Sequence, residues 1–171
     1  MMKTKGVILL GSSRSHGNTH TIVSELQKQT NFDVIDLKQY KINHFAYNLD
    51  NEDDFNALFK KLTATYTTFV FATPIYWYTM SGVMKVFFDR ISDFLFEEKD
   101  IGRRLRGTNM GVLSCGSDEE IKQGFEMPFV ESAHYLGMQY KGHIHTWIEN
   151  KTITPKVQQS ITKFANQLME N

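Results

Sequence analysis

A single cysteine, Cys115, is all the thiol that 171 residues offer. An internal disulfide is therefore excluded, and no cysteine cluster exists to hold zinc or an iron–sulfur centre. Net charge is missing as well: 19 Lys and Arg balance 19 Asp and Glu. No excess of one sign draws the chain to nucleic acid or to an anionic membrane surface. No run approaches the ~20 apolar residues of a membrane span. The apolar run Val7 to Leu10 is too short for a signal peptide and lacks a small-residue cleavage site, so the cytoplasm is the expected compartment. There is no repeat, no low-complexity tract and no linker, and the length is that of one domain, 1–171, able to bury a sizeable core.

What is present is organised around Phe69 to Asp89, FVFATPIYWYTMSGVMKVFFD. Phe69 to Ala72 is an unbroken apolar run, which suits a strand buried on both faces. Thr73 to Thr79 reads as a loop that exposes Tyr76, Trp77 and Tyr78. Ser81 and Gly82 then open a helix whose apolar residues recur at helical spacing. A loop with three aromatics at the carboxyl end of a buried strand suits a flat ligand; equally, the aromatics could cover a neighbouring loop.

The remaining elements alternate. Lys5 to Leu10 is a buried strand, followed by GSSRSHGNT (11–19) and a helix with Ile22, Val23 and Leu26 on one face. Phe32 to Leu37 is a second strand. Asp50 to Thr65 reads as an amphipathic helix with an acidic first turn. Asn109 to Cys115 is a fourth strand, and Ser117 to Met127 a loop. Pro128 begins a helix that stops at Gly137, Met138 to Trp147 alternates as an edge strand should, and Thr154–Pro155 opens the last helix. Five strand–helix alternations predict an α/β fold, a parallel sheet with helices on both faces in the order 2-1-3-4-5. That order places a binding crevice between the ends of strands 1 and 3, the position of the flavin in flavodoxin.

The first loop is small and polar and runs into a helix N-terminus, an anion site sized for one phosphate. Its residues could also simply cap the helix, but capping needs one such residue and the loop has at least five. It is neither a Walker loop nor G-x-G-x-x-G. It carries no cysteine, which excludes a phosphatase of the low-molecular-weight kind.

These two stretches, Gly11 to Thr19 and Pro74 to Gly82, followed by Lys85 and Asp89-Arg90, resemble the two signatures of the NAD(P)H-dependent FMN reductases, with the order of elements matching from Lys5 to Met169. The resemblance implies a flavodoxin-like three-layer sandwich with FMN as cofactor and NAD(P)H as co-substrate. It implies that Ser12, Arg14, Asn18 and Thr19 surround the phosphate, with Ser13 and Gly17 shaping the loop. Pro74, Ile75, Tyr76, Trp77 and Tyr78 would line the isoalloxazine, and Ser114, Cys115 and Gly116 would approach its other edge. Thr79-Met80-Ser81 stands where many relatives carry a small residue and a proline.

Other residues receive plainer readings. Cys115, at the end of a buried strand, is expected to be a small hydrophobe. His143 and His145 are expected to be exposed strand histidines, and Asp89 and Asp93 solvated acids near Lys85 and Arg90. Arg103, Arg104 and Arg106 form a basic turn that could meet the 2′-phosphate of NADPH but needs no such role. The third helix region, from Val83 through Phe87, Phe88 and Phe94 to Phe96, has more apolar residues than one buried face requires, which predicts a homodimer. Two functions follow: an enzyme passing electrons from NAD(P)H to a quinone, azo or nitro compound or flavin, or a flavodoxin-type carrier. The chain's neutrality favours the enzyme, because such carriers are usually acidic.

Overall fold

A computed structural model describes residues 5–47, 52–96 and 98–170, the Phe96 side chain excepted. Its elements in chain order are β1 (Gly6–Leu10), α1 (Asn18–Thr30), β2 (Asp33–Asp36), α2 (Phe55–Thr65), β3 (Thr68–Tyr76), β4 (Thr79–Met80) and α3 (Gly82–Arg90). After these come α4 (Asp93–Phe96), α5 (Lys99–Gly102), β5 (Asn109–Cys115), α6 (Met127–Leu136), β6 (Gln139–Thr146) and α7 (Pro155–Met169). The parallel strands take the order β2-β1-β3-β5-β6, the expected arrangement.

Alternation along each strand divides the core into two layers. Val7, Leu9, Phe69, Phe71, Met110 and Val112 meet α2, α3, α4 and α6. Ile8, Leu10, Val70, Ala72, Leu113 and Cys115 meet α1 and α7. Both sides of these strands are covered, which is why they read as unbroken apolar runs.

Three local expectations differ from the structure. The segment Thr73 to Thr79 is not a loop: β3 continues to Tyr76 and turns back through β4 in an antiparallel hairpin, pairing Ile75 with Met80 and Tyr76 with Thr79. A start of α2 at Asp50 lies outside the described residues; the described helix begins at Phe55 and has no acid in its first turn. The apolar surplus after α3 is used internally. Phe87 and Phe94 are each 2% exposed, Phe87 packing edge-on against Phe55 and Phe94 stacking on Phe59 at 4.6 Å between ring centroids. Neither is available to a second subunit.

Arg90 is fully buried, so Asp93, expected to be a solvated acid, is only 19% exposed and is bonded to it. Its guanidinium bonds the Asp53 carboxylate, Asp93 at 2.8 Å and the Asn43 carbonyl at 3.1 Å, and lies 4.7 Å from the centroid of the Phe55 ring. Asp53 also accepts from the Asn43 and Phe55 N–H groups, so the segment before α2 is tied to the end of α3. Burial pushes the Asp53 carboxyl up, but Arg90 and the two N–H donors outweigh it and hold the group below its usual range.

Asp53→Asn leaves Arg90 buried with only Asp93 as its counter-charge. Breaking a buried ion pair of this kind costs about 3–5 kcal/mol. Urea unfolding at pH 7 should show a loss of that order. Because the folded pKa of Asp53 is depressed, its contribution is complete above the unfolded pKa and disappears as pH falls through the folded one, so the gap between wild type and variant should close in acid.

Candidate functional site

The site forms where β1 and β3 end side by side. Gly11 has to be glycine: a Cβ there would lie 2.7 Å from Met84 Cε and 2.9 Å from Met84 Cβ, so α3 packs directly on its backbone. Ser81 joins these parts. Its hydroxyl donates to the Gly11 carbonyl at 2.5 Å and accepts the Met84 N–H at 3.1 Å, capping α3, while its own N–H donates to Thr73 Oγ1 at 2.9 Å. Ser81 thus starts α3 without a proline.

In the first loop, Ser12 and Thr19 are each 3% exposed. The Ser12 hydroxyl accepts the Arg14 N–H at 3.2 Å. Ser13, Arg14 and Asn18 are exposed. The residue preceding α1 is Gly17, and no side chain caps the helix. The capping alternative therefore fails: the hydroxyls are present but leave the first-turn N–H groups to another partner. Arg14 lies over this helix start, its Nε 3.5 Å from where a Gly17 Cβ would stand. An uncapped N-terminus with serine, asparagine and arginine around it suits a phosphate group.

The hairpin tip carries Trp77 and Tyr78 at φ 49° and 66°. Two positive φ values in a two-residue hairpin are the type I′ pattern, which Asn-Gly adopts easily and bulky aromatics do not. At this tip Trp77 is 90% and Tyr78 64% exposed. Ser13 Oγ and the Tyr76 hydroxyl are 2.8 Å apart, linking the two loops across their mouth. Ile75, Trp77 and Tyr78 form one wall of a cleft of about 300 Å³; Gly116, Asp118, Ile121 and Phe125 stand opposite.

At the end of β5, successive side chains point to opposite layers. Cys115 is buried in the α1–α7 layer, where burial pushes its thiol up, as a small hydrophobe should be. Ser114 is fully buried on the other face. Its hydroxyl meets His143 Nε2 at 2.8 Å and His145 Nδ1 at 2.9 Å, so the reading of both histidines as exposed strand residues is wrong. The cause is a β-bulge. Tyr140 pairs with Met110 but His143 with Val112, so the extra residue beside Gly142 (φ 101°) reverses the side-chain parity. Without it, both rings would lie on the α7 side. The only hint in the sequence is a glycine in an alternating strand.

The His143 side chain is 8% exposed. Burial above all, with His145 adding to it against the opposing Glu126, lowers its pKa to about 4. His143 is therefore neutral at pH 7, and its 3.9 Å approach to Glu126 is not an ion pair there. Arg103, Arg104 and Arg106 precede β5, whose seven residues span roughly 20 Å. They sit at the opposite end of the sheet and do not belong to this site. Among the described residues, no group of three or more His, Cys, Asp or Glu could hold a metal ion, and no helix is long and apolar enough to cross a membrane.

Comparison with known proteins identifies the family and the fold. The family described as NADPH-dependent FMN reductase matches residues 4–152. YwqN of Bacillus subtilis (strain 168), named as a putative NAD(P)H-dependent FMN-containing oxidoreductase, is 27% identical over 152 residues, covering 82% of this chain and 83% of that one. Among solved structures, the Trp repressor binding protein from Bacillus subtilis superposes with a TM-score of 0.75 at 23% identity, over 98% of this chain and 99% of that one. An FMN-dependent NADH-azoreductase from Bacillus anthracis str. Ames Ancestor, in complex with FMN, gives 0.69 at 10% identity, over 98% and 100%. At such identities the structural likenesses establish the fold.

The hairpin tip makes a direct prediction. Trp77→Asn with Tyr78→Gly removes left-handed strain worth about 1–2 kcal/mol per residue and should raise the unfolding midpoint. A lower midpoint would show that the aromatics stabilise the turn rather than being held there at a cost.

Proposed function

The chain belongs to the NADPH-dependent FMN reductase family, and from that premise we propose that its two strand-end loops hold one FMN and that NAD(P)H and a flat electron acceptor use the cleft beside it in turn. The protein is an NAD(P)H-dependent FMN oxidoreductase of flavodoxin-like fold. The acceptor class in this reading is a quinone, an azo or nitro compound, or free flavin. The observation that carries it is the buried Ser81–Gly11 bond, which clips an uncapped helix N-terminus to an aromatic hairpin.

Ser13, Arg14 and Asn18, with the first-turn N–H groups of α1, bind the phosphate. Ser12 holds the loop through its bond to the Arg14 N–H, Gly17 lets Arg14 lie against the helix start, and Thr19 packs below. Pro74 ends the buried part of β3, and Ile75, Tyr76, Trp77 and Tyr78 contact the ring. Gly116 meets its far edge, whereas Ser114 and Cys115 can approach it only through backbone. FMN, when bound, supplies the hydride and electron chemistry. The chain's own part is to fix the ring, exclude water and offer one aromatic-rimmed face. A carrier that never meets nicotinamide fits less well, given the family and the chain's charge balance.

We also place the protein in the cytoplasm as a homodimer. With Phe87 and Phe94 buried, the second copy would cover the groove lined by Phe88, Leu95, Tyr135 and Leu136. Light scattering that shows a monomer at micromolar concentration would remove the dimer from this reading.

Asn18→Asp adds a negative charge beside the phosphate and loses a charge-assisted hydrogen bond of roughly 1.5–3 kcal/mol. FMN titration of the folded variant should show at least that loss; unchanged affinity would refute the loop assignment. Because two flat ligands share one face, double-reciprocal plots at several acceptor concentrations should be parallel. Trp77→Ala should raise KM for both ligands, since stacked aromatics contribute about 0.5–1.5 kcal/mol, and should leave FMN bound. Intersecting lines would mean two separate sites.

A further inference from the structure

Ser114, His143 and His145 form a chain whose polarity is set by its ends. His145 Nε2 lies 3.0 Å from the backbone oxygen of Asp118, and a carbonyl can only accept. In the neutral ring His145 therefore carries its proton on Nε2, and its Nδ1 is a lone pair. The Ser114 hydroxyl must donate to that lone pair and so accepts from His143 Nε2–H. Both rings are Nε2–H tautomers, and His143 Nδ1 faces Glu126, whose carboxylate takes the Tyr140 hydroxyl at 2.9 Å.

This chain ends on the cleft. Asp118 and Gly116 line the wall opposite Trp77. The His145 ring lies so close beneath Gly116 that a Cβ there would fall 2.8 Å from Cε1. Phe125, on the same wall, stacks on His143 with centroids 5.3 Å apart. The segment between β5 and α6 contains no regular helix or strand. Its other ties include the Gly116 N–H to the Thr146 carbonyl at 2.9 Å, the Tyr140 hydroxyl to Glu126, the packing of Phe125 against Phe129 and an exposed Glu119–Lys156 pair, and exposed pairs hold little. His145 thus supports the wall at Gly116 and Asp118, and His143 supports it at Phe125, whose side chain is itself buried in the core.

We propose that His143, Ser114 and His145 are positioning residues that fix the cleft wall facing Trp77 and so determine which flat acceptors the cleft admits. None of the three side chains touches the acceptor; they act through Gly116, Asp118 and Phe125. The inference rests on the reading of the cleft as the acceptor slot.

Two measurements test it. In protein without cofactor, long-range ¹⁵N–¹H spectra of the histidine rings should show Nε2–H for both His143 and His145. Ser114→Ala should release His145 into a tautomer mixture, and Ser114→Thr, which keeps the hydroxyl, should restore the single form. A wild-type His145 protonated on Nδ1 overturns the chain. In the FMN-loaded enzyme, His145→Phe keeps a ring against Gly116 but loses the tie to Asp118. The KM for a flat quinone should rise about tenfold, the equivalent of one hydrogen bond, with kcat little changed. An unchanged KM, or a fall confined to kcat, overturns the positioning role. If Ser114→Ala does not fold, His145→Phe is sufficient by itself to decide. A wild type that oxidises no NAD(P)H defeats the proposed function and this inference together, whereas normal wild-type turnover with an unaltered variant KM defeats this inference alone.

Discussion

The hydroxyl of Ser81 is bonded on both sides, to the Gly11 carbonyl and the Met84 N–H, in a position 1% exposed to solvent. One side chain thereby sets where the first loop ends, where α3 begins and how the hairpin leaves the sheet. A buried hydroxyl with both functions satisfied has little freedom to move, because any shift strands a polar group away from water. Gly11 adds the steric half of the constraint, since it lets Met84 close on bare backbone. The exposed parts of the site, Ser13 and Arg14 on one loop and Tyr76 to Tyr78 on the other, hang from this junction, so surface residues inherit the rigidity of the core.

The same division between fixed support and exposed chemistry recurs at β5. Ser114 and Cys115 are neighbours in sequence and opposite in surroundings. The thiol is shut into the layer under α1, where burial keeps it protonated. The hydroxyl is placed among two imidazoles. A chain built to handle electrons thus keeps its single sulfhydryl away from the cleft and supports that cleft with groups that do not oxidise readily.

Much of this architecture is legible in the sequence. Apolar runs of four residues, at 7–10, 69–72 and 110–113, mark the doubly covered strands, helical stripes mark α1, α6 and α7, and the polar loop after β1 declares its chemistry through residue type. What the pattern hides depends on contacts distant in sequence. Trp77-Tyr78 gives no turn signal, because the turn is imposed by β3–β4 pairing against local preference. Phe87 and Phe94 look surplus because the pattern does not show that the chain breaks after Arg90 and folds Phe94 back onto α2. Asp93 reads as a solvated acid because the pattern does not show that Arg90 beside it is buried against Asp53, 37 positions away. His143 and His145 read as exposed because a single inserted residue in the ladder reverses which face they take, and one glycine is too faint a sign of that.

The bulge at Gly142 has another effect. β6 closes one side of the described sheet, and an outermost strand offers unpaired N–H and C=O groups to any passing chain. An interrupted ladder, twisted at a left-handed glycine, presents no long straight edge, so a strand from another molecule cannot continue the sheet in register. The residue that turns two histidines inward also guards the fold against sheet-to-sheet aggregation.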